Sequence, residues 1–149
     1  MFCVGLDNAK SAINVGHALR ACHAYGAAML AVSGTRDVRS PTDVSSAYKE
    51  IPLVRCGDLH SVIPFGCVPV AVELVPHAEN LVAFVHPKNA IYIFGAEDNT
   101  LGSRVLAYCK HVVYVPTSIC MNLSACVNVV LYDRIAKETV RNAQLNRKG

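Results

Sequence analysis

The sequence predicts an α/β fold, a parallel β-sheet with helices on both faces. Short apolar runs such as residues 2–6 and 90–94 lack the apolar–polar alternation of a half-exposed strand and read as strands buried on both sides. Helical segments separate most of these runs, as parallel crossovers require. Hydrophobic residues make up 52% of the chain and charged residues 17%, which supplies core material and argues against disorder.

Taken in order, residues 2–6 form the first strand. Residues 13–25 read as a helix, stopped by Gly26. Residues 27–32 are a second buried strand, closed by Ser33-Gly34. Residues 35–46 are polar and read as a loop or short irregular helix. Residues 58–63 form a short helix before Pro64, residues 68–74 a strand, and residues 81–85 a short extended piece. Residues 90–94 are the most apolar strand, followed by a helix at 101–109 and a strand at 111–115. The longest helical pattern covers residues 122–142, and its stretch from Leu123 to Tyr132 is apolar enough to need cover from the domain and from a second subunit. Ligands in such sheets bind beyond the carboxyl ends of the strands, so the loops after Leu6, Val32, Leu74, Phe94 and Val115 are the ones to watch.

The 149 residues favour a single domain, with no internal repeat. No apolar run approaches the roughly 20 residues that span a membrane. The first six residues are too short and uncharged for a signal peptide. Seven cysteines, an odd number with no Cys-x-x-Cys pair, read as reduced thiols of a cytoplasmic protein. Cys56, His60 and Cys67, or Cys109 and His111, do not have compelling zinc spacing, and no metal is expected. A net charge of +3 permits a polyanionic partner without requiring one.

Three segments carry chemistry. In the first, Asn14 stands where a helix begins and can cap it. Gly16 allows a close backbone approach, and Arg20 lies one turn on with a guanidinium suited to phosphate. Read alone, it is more readily a capped surface helix with a solvated arginine. In the second, a buried strand runs from Phe94 into Gly95, Ala96 and Glu97, a bare backbone beside a carboxylate. Read alone, it is a strand-to-helix turn capped by Asn99 or Thr100, and it is not a dinucleotide fingerprint. In the third, a strand ends at Val115 and Pro116, and the loop through Thr117, Ser118, Ile119, Cys120 and Met121 reaches Asn122 and Ser124 at the start of an apolar helix. Free N–H groups there favour acceptor ligands, although a capped core helix accounts for one of the two polar residues.

In this order the three segments resemble the SPOUT methyltransferases, specifically the SpoU/TrmH type that methylates RNA riboses. The first family motif, Asn-x-Gly-x-x-x-Arg, is matched by Asn14, Gly16 and Arg20. The second, an apolar strand into Gly-x-Glu, is matched by Phe94, Gly95 and Glu97. The third is matched by Cys120-Met121-Asn122-Leu123-Ser124, with Tyr132 and Asp133 after it. The chain departs from the family in Ala96, in Asn99-Thr100 where arginine-glycine is usual, and in Cys120 where serine is usual.

The resemblance implies a C-terminal deep trefoil knot, a homodimer, no separate RNA-binding domain, and S-adenosylmethionine held by the turn at Glu73-Leu74 and by Gly95, Ala96, Glu97, Val115, Pro116, Ile119, Cys120 and Met121. It implies a catalytic group of Arg20, Asn14, Glu97, Asn122 and Ser124. The substrate it implies is tRNA or rRNA, methylated on a ribose 2′-hydroxyl. Since a guanidinium resists deprotonation, Arg20 is expected to stabilise the developing alkoxide and anchor a phosphate. RNA contact is expected from Arg36, Arg39, Lys49 and Arg55, and from Arg134, Lys137 and Arg141 on one face of the last helix; a solvated basic face is the competing reading. The alternative function is a catalytically inactive RNA-binding module of the same fold. A dehydrogenase is disfavoured by the missing glycine fingerprint.

Overall fold

A computed structural model describes residues 1–34, 49–96 and 99–147. Within them the strands are β1 (Phe2–Leu6), β2 (Leu30–Ser33), β3 (Leu53–Cys56), β4 (Val68–Val72), β5 (Glu79–Asn80), β6 (Ala90–Phe94) and β7 (His111–Tyr114). The helices are α1 (Ala12–Tyr25), α2 (Ser103–Tyr108) and α3 (Leu123–Asn146), with a 3-10 turn at Leu59–Val62. All strand pairs are parallel, in the order β3-β2-β1-β6-β4-β7-β5. The expected parallel α/β sheet is therefore present.

Two core layers explain why the apolar runs do not alternate. Val4, Leu6, Val70, Tyr92 and Phe94 face α1 and α3, in a layer that includes Val15, Leu19, Val127, Val130 and Leu131. Cys3, Ala71, Ile91 and Ile93 face the other way, against Leu59 of the 3-10 turn and Val105 of α2. Both faces of each central strand are dry, so every position is apolar.

Several boundaries differ from expectation. Helix α1 is capped by Ser11, whose Oγ accepts from the Asn14 N–H at 3.4 Å. Asn14 thus lies inside the first turn, buried, and its side chain is spent elsewhere. Gly26 does end α1, at φ 74°, where a left-handed conformation costs glycine little. Residues 81–85 are not extended: Leu81 to Ala83 form a turn, and the extended pair is β5, just before it. Strand β3 was not expected. Neither Asn99 nor Thr100 caps α2, which starts after Gly102 without a side-chain cap. The segment 35–46 lies outside the described residues. Among the described residues, no helix is long and apolar enough to cross a membrane.

Arg134 requires the largest correction. It is 3% exposed and does not stand on a solvent face with Lys137 and Arg141. Its guanidinium donates to Pro87 O (2.8 Å), Lys88 O (2.9 Å) and the Tyr92 hydroxyl (2.9 Å), and lies 4.9 Å from the Phe2 ring centroid. The reason is helical register: Leu123, Val127, Val130, Leu131 and Arg134 fall on the same buried stripe of α3. Tyr92 also lies 2.6 Å from His86 Nδ1, and His86 Nε2 lies 2.8 Å from Asp133 Oδ2. Because arginine only donates, Tyr92 accepts from it and donates its own O–H in a hydrogen bond to Nδ1; neutral His86 then donates from Nε2 to Asp133. Burial holds the His86 imidazole below its ordinary titration range.

Candidate active site

The register of the central strands builds the site. Leu6, Phe94, Val72 and Val113 form one row across β1, β6, β4 and β7. The chain leaves the last three of these strands at neighbouring points, through residues 73–74, 95–96 and 115–121. Two adjoining cavities open there, of about 340 Å³ and 470 Å³. Val72, Glu73, Cys120, Met121 and Cys126 line both, so they form one cleft. The first cavity adds Leu74, Tyr114, Val115, Thr117, Ser118 and Ile119. The second adds Phe94, Gly95, Ala96, Asn99, Thr100 and Leu123.

Most of the residues expected around the methyl donor therefore meet in one place. Pro116 is exposed at the start of its loop and is not among the lining residues. Glu97 lies outside the described residues, as do Arg36 and Arg39. Gly95 is tightly enclosed: a Cβ there would meet Leu101 N at 3.2 Å and Asn99 O at 3.4 Å. Thr117 Oγ1 donates to Ile119 O at 2.8 Å and tightens the third loop.

Glu73, in the Glu73-Leu74 turn expected at the cofactor, lines both cavities. Its carboxylate accepts from Leu74 N at 2.9 Å and from Leu101 N at 2.7 Å, tying the end of β4 to the turn after β6. Cys126 was missed. It is one helical turn inside α3, and burial raises its thiol to about 11. Cys120, in the loop, is exposed.

A second polar group ties α1 to α3. Asn122 caps α3, accepting from Ser124 N (2.9 Å) and Ala125 N (3.3 Å) through Oδ1. Asn122 Nδ2 donates to Asn14 Oδ1 at 3.0 Å, and Ser124 Oγ donates to Asn122 Oδ1 at 2.7 Å. Three residues expected to act together are thus joined across more than a hundred residues of sequence. Both polar residues of the α3 start are accounted for by this network, which a capped helix alone did not explain.

Arg20 is exposed on α1 and lines a separate cavity of about 390 Å³ with His17, Ala21, Ala24, Ser124, Ala125 and Asn128. This cavity shares no lining residue with the cleft. The first turn of α3 divides them: Leu123 and Cys126 face the cleft, Ser124 and Ala125 face Arg20.

Of the expected RNA contacts, Arg55 and Lys49 are exposed and Arg141 is half-exposed, 3.9 Å from Glu138. The Lys137 ammonium is engaged within the chain, donating to the carbonyls of Leu81 and Phe84 and pairing with Asp133 at 2.7 Å. With Arg134 buried, the expected basic row on α3 does not form.

Comparison with known proteins agrees with this architecture. No curated protein matches the chain in sequence. Among solved structures, the SpoU methyltransferase AviRb from Streptomyces viridochromogenes in complex with AdoMet superposes with a TM-score of 0.80 at 22% identity. That match covers 93% of this chain and 60% of AviRb, so the chain spans about three fifths of that relative. The A. aeolicus TrmH/SpoU tRNA modifying enzyme superposes with a TM-score of 0.84 at 16% identity, covering 95% of this chain and 77% of that one. A structure described by the 2-OH methylation of C/U34 on tRNA gives 0.77 at 19% identity, covering 93% and 97%. These likenesses establish a shared fold. The model of the SpoU rRNA Methylase family matches residues 1–132, which takes in the cleft, the Asn14–Asn122–Ser124 network and Arg20 alike, and the chain belongs to that family.

Proposed function

We propose that the protein transfers a methyl group from S-adenosylmethionine to a ribose 2′-hydroxyl of tRNA or rRNA, acting as a cytoplasmic homodimer. The observation that carries this reading is the cleft where residues 73–74, 95–96 and 115–121 converge. Its size suits a nucleoside-sized ligand, and its lining is largely apolar. When bound, the cofactor supplies a methyl group already activated on a sulfonium.

The chain's own residues have the remaining tasks. Arg20 anchors a substrate phosphate and stabilises negative charge developing on the ribose oxygen. Asn14, Asn122 and Ser124 fix α1 against the start of α3 and so position Arg20, with Glu97 assigned to the same group. Arg20 and the cleft occupy separate cavities in one chain, and a second copy is the simplest means of joining them. Exposed Ile13 and Tyr132 give α1 and α3 apolar surface for such a partner. In the sheet, β6 enters between β1 and β4, and β7 between β4 and β5. That interleaving supports the knot, which belongs to this proposal, as does the assignment of residues 1–149 to a single domain. Calorimetry with S-adenosylmethionine, S-adenosylhomocysteine and NAD tests the reading. Binding of the first two alone supports it; binding of NAD alone overturns it.

A further inference from the structure

We infer that His17 accepts the proton of the hydroxyl that becomes methylated. This rests on the proposed methyl transfer to RNA and deepens it. A ribose hydroxyl is a poor acid and a guanidinium does not accept a proton, so with Arg20 as stabiliser the proton must go to solvent, to a substrate phosphate or to another side chain. Imidazole is the side chain that exchanges protons most readily near neutral pH.

The structure places one where it is needed. His17 precedes Arg20 by three residues on α1, so the two share a helix face. Both are exposed, and both line the cavity between α1 and α3. Neither has a hydrogen-bond or ion-pair partner among the described residues, in contrast to Arg134 and His86, which are fixed inside the core. Facing His17 across this cavity, α3 presents Ser124, Ala125 and Asn128, none of which titrates; Arg20 is the one charged neighbour in the lining. Asn128 donates Nδ2 to Ser124 O at 2.9 Å. Its Oδ1 is left to orient a donor in the cavity. Because His17 and Arg20 ride on one helix, any arrangement that brings Arg20 to the ribose brings His17 with it.

The step balances. The hydroxyl O–H bond breaks and its proton goes to an imidazole nitrogen. The oxygen's electron pair forms the bond to the methyl carbon, and the carbon–sulfur pair stays with sulfur, which becomes a neutral thioether. The imidazolium then returns its proton to solvent.

The test compares wild type, His17→Asn and His17→Ala in methyl transfer to RNA, from about pH 5.5 to 9, across the range where imidazole titrates. The wild type should show a rate that falls toward acid. Both variants should lose that acid limb and run roughly 100-fold slower at neutral pH, with KM and donor affinity unchanged. Added imidazole should restore part of the His17→Ala rate. Ring-proton NMR of the unliganded protein should give a His17 midpoint that coincides with the acid limb. An acid limb that persists in the variants, a defect confined to KM, or an NMR midpoint away from the limb overturns the inference. If wild type binds S-adenosylmethionine but methylates no RNA, the parent reading falls first and this one with it.

Discussion

Replacing Arg134 by methionine isolates what the buried guanidinium does. Methionine keeps much of the unbranched stem and removes the charge and the donors. Three hydrogen bonds are lost, to Pro87 O, Lys88 O and the Tyr92 hydroxyl. Hydrogen bonds to a charged group contribute about 1.5–3 kcal/mol each. Against that gain stands the cost of desolvating the cation, several kcal/mol, which is not fully offset because Nε has no partner. A net loss of about 3 kcal/mol follows, equivalent to a fall in Tm of about 10 °C for a chain of this size. Arg134→Lys should fall between the two, since one ammonium cannot span two carbonyls and a phenol. Differential scanning fluorimetry measures the shift, and RNA binding at low temperature provides the control. A Tm within about 2 °C of wild type, together with weakened RNA binding, would return Arg134 to the RNA-contacting surface and refute the structural role.

Other expectations follow from the same geometry. His86 is held neutral by burial, so the unfolded chain binds its proton more tightly than the folded one. Stability should therefore be fully present above the ordinary value of 6.5 and decline as pH falls below it, and His86→Gln should flatten that decline in thermal melts; an unchanged slope contradicts the assignment. Gly95→Ala forces a Cβ against Leu101 N and Asn99 O, so the turn lining the cleft must shift; Tm should fall by about 3–6 °C and S-adenosylmethionine binding should weaken about tenfold, by fluorimetry and calorimetry, and a variant with wild-type Tm contradicts the enclosure. Cys120 should be the first of the seven cysteines to react with iodoacetamide, and S-adenosylmethionine should protect it, while half-buried Cys126, its thiol raised to about 11, reacts far more slowly; peptide mass spectrometry reads both.

Much of the fold was legible because the signal was local. The central strands are continuous apolar runs, and dryness on both faces demands that. Gly26 marked the end of α1 for the same kind of reason. Strands β3 and β5 were not legible: in Leu53–Cys56 an arginine interrupts a short apolar run, and the pair Glu79-Asn80 has no apolar residue, so both exist through pairing with neighbours. The site loops were legible as strand ends followed by glycine or proline. What joins them was not. Nothing local says that Asn14 bonds Asn122, or that Glu73 reaches Leu101, since these contacts depend on strand order. Arg134 marks the limit of reading charge as surface: its spacing from Leu123, Val127 and Leu131 already placed it on the apolar stripe.

The central claim is methyl transfer to RNA with Arg20 beside the reacting oxygen. The most direct measurement incubates the protein and its Arg20→Ala variant with methyl-labelled S-adenosylmethionine and total RNA, followed by mass spectrometry of the nucleosides. The account predicts a labelled 2′-O-methyl nucleoside with wild type, a rate at least about 100-fold lower with Arg20→Ala, and equal donor binding by both. Donor binding without any labelled nucleoside, or a variant as active as wild type, would contradict it.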